Sequence, residues 1–542
     1  MRRSRPLAAA ALALALLAGA GSPRAQAPAP AGAATLTMGV EASFGLDPHF
    51  LFLGPNMAAA RHIYDSLVGR DEESRFTPAL AESWRAVDAQ TWELSLRRGV
   101  SFQDGSPFTA EDVAFSLARI PALPNNPGPY TSNLRTIRRV EVVDAHTIRL
   151  HTDQPNPTLP GQLTNVFIVS ARAAGGPEPW GASTAEFNSG RAAIGTGSFR
   201  LERFRGSEGM SLSRNEGYWG TPAAFARVEM KVMGNDAARL AALLSGDVDL
   251  IEQVPPADVA RLEKDARVSV FKRNSDRIMY LIPHLGAGAL PLLAGPDGAP
   301  LAANPMADAR VRRALSLAID REALAARGLD GQAIATVQMV PEGFGGWDTD
   351  LPAPRPDTEA ARRLLAEAGF PQGFGLTIGC SNNRYTNDAR VCQAVGQMLT
   401  RAGFQAKVET QPGTVFFPRT AVGRNDLPLM LFGLSLSSSR DASYILSTAV
   451  HTRDPARGFG QGNRGQFSDA ALDARIAGSI SRMDAGREAA LRETMREAIA
   501  ALPIIPLYNQ VTITAARRGI AYSPRMDEQL VATHARLTEP AR

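Results

Sequence analysis

The chain has 542 residues, of which 44% are hydrophobic and 21% charged, so it can fill several cores. Its formal charge is +4, but Arg2, Arg3, Arg5 and Arg24 stand among residues 1–27 with no acid beside them. The remainder is formally neutral, which argues against nucleic acid or an anionic membrane surface as the main partner.

The first stretch, "MRRSRPLAAAALALALLAGAGSPRAQA", joins a basic start, an apolar run from Leu7 to Ala18 and an A-x-A site at Ala25-Gln26-Ala27. It reads as a secretory signal peptide over residues 1–27 and is too short for a membrane span. Ser4-Arg5-Pro6 after the arginine pair favours the general export route over the twin-arginine one. "LLAGAG" offers Ala20 where a lipoprotein would carry cysteine. A periplasmic protein without a lipid anchor is expected. The length that remains suggests about three domain-sized units.

"TLTMGV" reads as a strand running into the loop "EASFGLDPHF". "TWELSL" alternates, with Trp92, Leu94 and Leu96 on one face and Glu93 on the solvated one. Asp104-Gly105 marks a tight turn, and Thr109 with Asp112 forms a capping-box-like helix start. No His, Lys or Cys accompanies these acids, so the stretch 96–119 reads as scaffold rather than catalysis. Further on, "FARVEMKVM", "DAARLAALLSG", "DVDLIE", "PPADVARLEKD" and "VSVFKRN" alternate strand and helix, the signature of an α/β lobe.

A second lobe begins near Tyr280. "ADARVRRALSLAIDREALAARG" predicts one helix, with Val311, Leu315, Ala318 and Ile319 on its apolar stripe and arginines opposite. "DTEAARRLLAEAGF" predicts another, capped by Thr358 and stopped by Gly369. Strand 374–380, helix 388–402 and strand "QAKVET" predict a right-handed β-α-β unit. "LPLMLFG" is a buried strand, and a helix over 484–501 leads to the strand region "LPIIPLYNQVTIT".

Two cysteines are present: Cys380 ends a predicted strand and Cys392 lies in the following helix. In an oxidising compartment a bridge is expected, worth roughly 3 kcal/mol. Two buried thiols are the alternative, and the pair makes a poor metal site. The sequence holds no G-x-x-x-x-G-K-[ST], H-E-x-x-H or G-x-S-x-G. The seven histidines stand singly and read as surface or hydrogen-bonded residues. "GFGQGNRGQF" contains G-x-G-x-x-G at Gly460, Gly462 and Gly465, but it follows a polar loop and reads as a flexible loop. These patterns imply no cofactor, no metal and no enzyme.

"LAESWRAVDAQTWELSLRRGVSFQDGSPFTAEDVAFSLAR" closely resembles the signature region of the dipeptide, oligopeptide and nickel-type solute-binding proteins, family 5 of the ABC-importer binding proteins. "IGTGSFRLERF" with "LSRNEGYWG", "LAALLSGDVDL", "ADARVRRALSLAIDREAL", "ARRLLAEAGFPQGF" and "LPIIPLY" match further segments in the expected order. The resemblance implies a periplasmic-binding-protein-like fold, two α/β lobes around a ligand cleft with an extra inserted subdomain. Lobe I would hold residues 34–275 and 505–535, with the insert at about 65–195. Lobe II would hold residues 276–504. The implied function is capture of a peptide or similar small solute by hinge closure. The protein would be a monomer that delivers its guest to ABC permease transmembrane subunits.

In peptide-binding relatives an acid shortly after a G-W pair holds the ligand's α-amino group. Here Gly433 is followed by Leu434, Ser435 and Ser437, and Asp441 comes late enough to cap the next helix instead. The missing carboxylate would forfeit a charge-assisted bond, which puts a free-amine peptide in doubt. By resemblance Tyr385, Asn387 and Asp388 would meet the ligand at a helix start, with capping by Asn387 the alternative. Phe44, Tyr130 and Trp347 are candidate apolar walls. Arg424 is either a partner for a ligand carboxylate or a solvated arginine. The rival readings are an exported hydrolase, a ligand-sensing regulator, and the same fold binding a metal chelate, an opine or a sugar.

Overall fold

The computed structural model describes residues 34–538 apart from 129, 177, 287, 353 and 354, so the leader expected at 1–27 lies outside the described residues. A 12-stranded mixed sheet forms the backbone of the molecule. At one end Thr35–Val40 runs parallel to both Arg227–Val232 and Leu250–Ile251. Leu36, Met38 and Val40 alternate along it and point into one core. Gly209–Arg214 and Phe199–Phe204 continue this end as an antiparallel edge.

At the other end Gly375–Ser381 lies parallel to Gln405–Gln411 and to Leu429–Ser435. Helix Asp388–Arg401 crosses between the first two and buries Val391, Val395 and Leu399, the β-α-β unit expected from the sequence. Cys380 and Cys392 are both buried and bonded to each other, with Cα atoms 6.5 Å apart, within ordinary bridge reach.

Two long antiparallel strands, Val268–Pro283 and Ile505–Arg517, join the two ends into one sheet. Their pairing breaks between Asn274 and Ile278, where Ser275, Asp276 and Arg277 stand opposite Gln510 alone. Such a bulge interrupts the ladder and bends the strand, leaving three residues free of the register on either side.

A separate four-stranded antiparallel sheet comprises Ala81–Asp88, Thr91–Leu96, Ile137–Asp144 and Thr147–Thr152. Helix Ala110–Ala122 packs on it around Leu94, Phe108, Val113 and Ile148. The acids of the stretch 96–119 serve this unit. Asp104 accepts from the Ser106 backbone (2.9 Å) and hydroxyl (2.6 Å). Asp112 accepts from the Thr109 backbone (2.9 Å) and also from Ala171 (2.8 Å), tying the helix start to the chain beyond the sheet. Glu93 departs from expectation: it is not solvated but pairs with Arg85 (2.5 Å) and Arg149 (2.8 Å).

The helix expected over 307–328 is broken. Its regular part, Ala309–Ala318, stops at Ile319, and the chain restarts where Asp320 accepts from Ala323 (2.9 Å). Nor are all its arginines opposite the core. Arg312 is buried and donates to the carbonyls of Met306, Ala307 and Ala501, and Arg321 to those of Ser316 and Pro506. These guanidiniums satisfy backbone oxygens at helix ends and, at Pro506, in the strand Ile505–Arg517, a demand that periodicity does not display. Asp357, one residue before the expected Thr358, caps the next helix through Ala360 (2.8 Å).

Candidate functional site

Ligands of open α/β sheets bind outside the carboxyl ends of the strands. Here three such ends meet. Thr35–Val40 runs into Glu41, Leu250–Ile251 into Glu252, and Gly375–Ser381 into Asn383 and Arg384. They line a cleft of about 410 Å³ together with Phe44, Arg277 and Glu528. The loop carrying Phe44 is fixed from behind. Asp47 accepts two hydrogen bonds from Arg119, both 2.8 Å, and His49 Nε2 meets the Phe167 carbonyl at 2.7 Å. Asp47 and Arg119 have almost no exposed surface, and the guanidinium holds the carboxyl below its usual range against the cost of burial.

The floor of the cleft is the bulge in the long strand. Arg277 donates to Glu528 through Nε (3.0 Å) and Nη2 (2.7 Å), and Ser275 (2.7 Å) and Gln510 (3.0 Å) donate to the same carboxylate. Burial opposes ionisation of Glu528, but the charge and hydrogen bonds of Arg277 hold its carboxyl below the usual value. Beside it Asp276 is fully buried. One oxygen accepts from Ser435 (2.6 Å) and the other has no partner among the described residues. Burial pushes Asp276 up to about 7, with the Ser435 bond opposing.

The first-strand side of the cleft is acidic. The Glu41 N–H donates to the Glu252 carboxylate at 2.7 Å. Burial, then the charge of Glu41, pushes Glu252 up to about 7. Burial also raises Glu41, with Arg384 and Arg239 acting against it. The opposite side offers Arg384, which lies over the Tyr385 ring 5.1 Å from its centroid and has no ion-pair partner among the described residues. The cleft therefore presents carboxylates from one half of the sheet and a guanidinium from the other.

The residues expected from the sequence divide into two groups. Phe44 lines the cleft with one edge of a mostly buried ring. Tyr385, Gly433, Leu434 and Ser435 are brought beside Arg277. Ser435, Leu434 and Gly433 pair with Arg277, Ile278 and Met279, and Tyr385 donates to the Gly433 carbonyl at 3.3 Å. Leu434 packs half-buried against the neighbouring core. Ser437 is half-buried, 3.4 Å from the Ser435 hydroxyl.

Most of the others turn into the protein. Tyr130 has no exposed surface and packs on Phe52 inside the small unit, centroids 4.7 Å apart, so it is a core residue and not a cleft wall. Asp388 is 2% exposed and accepts from Ser381 (2.7 Å) and from the Arg384 and Tyr385 backbones, so it fastens the loop rather than facing a guest. Asn387 takes a left-handed backbone (φ 55°) and donates to Gly328 (3.4 Å); it makes no side-chain cap. Trp347 packs on the core around Phe344, and Arg424 is exposed. Asp441 accepts from Ser443 (2.8 Å) at a helix start and from Arg487 (2.6 Å).

Glu41, Glu252, Arg277, Arg384 and Glu528 were not singled out from the sequence. Glu41 directly follows one predicted strand and Glu252 ends another, and position at a strand's carboxyl end is the signal that would have found them. Nothing local marks Glu528.

Known proteins resemble the chain over most of its length. A glutathione-binding protein, GsiB, of Salmonella choleraesuis is 26% identical over 485 residues, covering 88% of each chain. GsiB of Escherichia coli O157:H7 is also 26% identical, over 486 residues with the same coverage. Among solved structures, CtaP of Listeria monocytogenes, an ABC transporter substrate-binding protein, superposes with a TM-score of 0.79 at 20% identity, over 94% of this chain and 100% of its own. DppA of Helicobacter pylori in complex with the peptide STSA gives 0.73 at 20% identity, over 94% and 99%. The family model for bacterial extracellular solute-binding proteins, family 5 (Middle), matches residues 75–456, and the chain belongs to that family.

Proposed function

We propose that the chain is the periplasmic solute-capturing component of an ABC importer, and that its guest is a short peptide or a peptide-like solute such as glutathione. The observation that carries this reading is the cleft with carboxylates at the ends of Thr35–Val40 and Leu250–Ile251 and a guanidinium beyond Gly375–Ser381. A zwitterion placed there answers both signs at once. One lobe holds residues 34–275 and returns from about residue 510 to 535 rather than from 505, because Ile505–Asn509 pair with Ile278–Leu281 and share the other lobe's core, and closure bends the long strands at Ser275–Arg277, where the ladder is already interrupted. Contacts to both lobes then favour the closed state by their differential affinity.

In this reading Phe44, Tyr385, Gly433, Leu434, Ser435 and Ser437 border the guest, and Glu41 with Glu252 takes its amino group. Relatives named for glutathione and a neighbour holding the peptide STSA support this ligand class. The closed form would dock on permease subunits encoded elsewhere.

Calorimetry with glutathione and with peptides of two to five residues tests the proposal, alongside solution scattering. A saturable 1:1 heat with a smaller radius of gyration is expected for at least one of them. The reading fails if no solute changes the scattering profile, or if a bound solute is chemically converted.

A further inference from the structure

A second cavity, of about 340 Å³, shares no lining residue with the cleft. One wall comes from the small unit, with Arg135, Asn156 and Gln162. The other comes from residues 438–481, with Ser438, Tyr444 and Phe459. The halves meet tightly along its rim. A β-carbon at Gly161 would overlap the Ser438 carbonyl, and one at Gly458 (φ 73°) would overlap the Arg135 guanidinium. Gly458 opens the glycine-rich loop that made no dinucleotide site, and its bare backbone seats the arginine instead.

The lining is chemically one-sided. It contains two arginines and many hydroxyl and amide groups, and no Asp or Glu. Most of these polar groups satisfy one another. Asn156 donates to Thr136 (2.8 Å) and Gln162 (3.0 Å), and Ser439 donates to the Asp441 carbonyl (2.9 Å). Arg457 is held by Asp454 at 2.6 Å. Arg135 is different. Among the described residues no carboxylate lies within ion-pairing distance of it, and Asp153, the acid whose charge reaches it, is paired with Arg138. The hydroxyls of Ser438 and Tyr444 likewise have no hydrogen-bond partner among the described residues. An exposed guanidinium and two spare O–H groups line a space that no protein anion enters.

We infer that this cavity is a carboxylate-binding subsite, in which Arg135 pairs with a carboxylate of a small organic acid and Ser438 and Tyr444 donate to its oxygens. The inference rests on the capture reading in one respect only, that the carboxylate belongs to a captured solute. Because its walls come from the small unit and from residues 438–481, an occupied subsite also favours closure.

The probe is succinate, with succinamide as its uncharged counterpart, titrated by calorimetry into the full mature protein. Succinate is expected to give a saturable heat, with succinamide silent. Arg135→Gln should weaken succinate about tenfold or more, as expected for loss of a charge-assisted bond. Arg135→Lys should recover much of that loss. Ser438→Ala removes one donor and should weaken binding roughly threefold, and it guards against misfolding in the arginine variant. Absence of a succinate heat, equal binding of succinamide, or unchanged affinity in Arg135→Gln overturns the subsite. Succinate binding beside a silent glutathione and peptide panel keeps the subsite and sinks the peptide reading of the cleft.

Discussion

The two cavities treat charge in opposite ways. In the cleft Arg277 and Glu528 are both almost buried and share a carboxylate with Ser275 and Gln510. In the second cavity Arg135 stands against a glycine with no acid at hand. Burying an ion is tolerable only when its partners replace water, and the Arg277 network does that within the chain. Arg135 stays exposed, with no ion pair among the described residues. A committed pair shapes the fold, and an uncommitted one is available to a guest.

The sharpest way to break this contrast is to delete one guanidinium from each place. Arg277→Met leaves Glu528 enclosed beside Ser275 and Gln510 without its counter-ion, which should cost about 3–5 kcal/mol. Urea unfolding at neutral pH measures it. Arg135→Gln removes a charge that no acid holds, and its unfolding free energy should stay within about 0.5 kcal/mol of the parent. Comparable losses in both variants would erase the distinction.

Next in size is the acid side of the cleft. Glu252 and Asp276 both titrate near 7 in the folded chain, above their ordinary values of 4.5 and 3.8. Between those ordinary values and about 7 the folded state binds more protons than the unfolded one. Stability contributed by these groups is therefore fully present at low pH and is lost as pH rises toward 7, after which it levels. Glu252→Gln should flatten that slope in urea titrations across pH 4.5–7.5. Ligand binding should run the other way. If the guest's amine meets Glu252, its affinity rises from pH 6 to pH 8 as the carboxylate ionises, and an N-acetylated guest shows no rise. Identical pH profiles for the two guests would remove Glu252 from amine recognition.

How much of this was legible in the sequence follows from distance along the chain. The turn at Asp104-Gly105, the helix start at Thr109 and the β-α-β unit ending in Gln405–Gln411 are set by neighbours, and all could be read. Tyr130 could not. An aromatic in a proline-rich loop looks like a binding wall until Phe52, far upstream, is seen to cover it. Asp388 at a helix start looks free until Ser381 and the Arg384 and Tyr385 backbones are seen to surround it. The floor of the cleft lay furthest from view, since Arg277 and Glu528 stand 251 positions apart and each is an ordinary surface residue by local pattern. Local sequence specifies elements; partners that distant are specified only by the completed sheet.

The finest test concerns the acid that relatives place after a G-W pair. Ser437 occupies that stretch, 3.4 Å from Ser435, whose hydroxyl is given to the buried Asp276. The stretch is therefore not empty of carboxylate: Asp276 stands behind the serines with one oxygen unpartnered. A second carboxylate at 437 supplies a half-exposed anchor, yet its repulsion from Asp276 keeps the latter protonated and offsets part of the gain. With the guest's amino end held by Glu41 and Glu252, Ser437→Asp should thus leave free-amine and N-acetylated peptides alike within about twofold by calorimetry at pH 7. A gain restricted to the free amines puts the guest's amino end beside Ser435. Weakened or unchanged binding instead places that end at Glu41 and Glu252, with the serine strand bordering only the guest's middle.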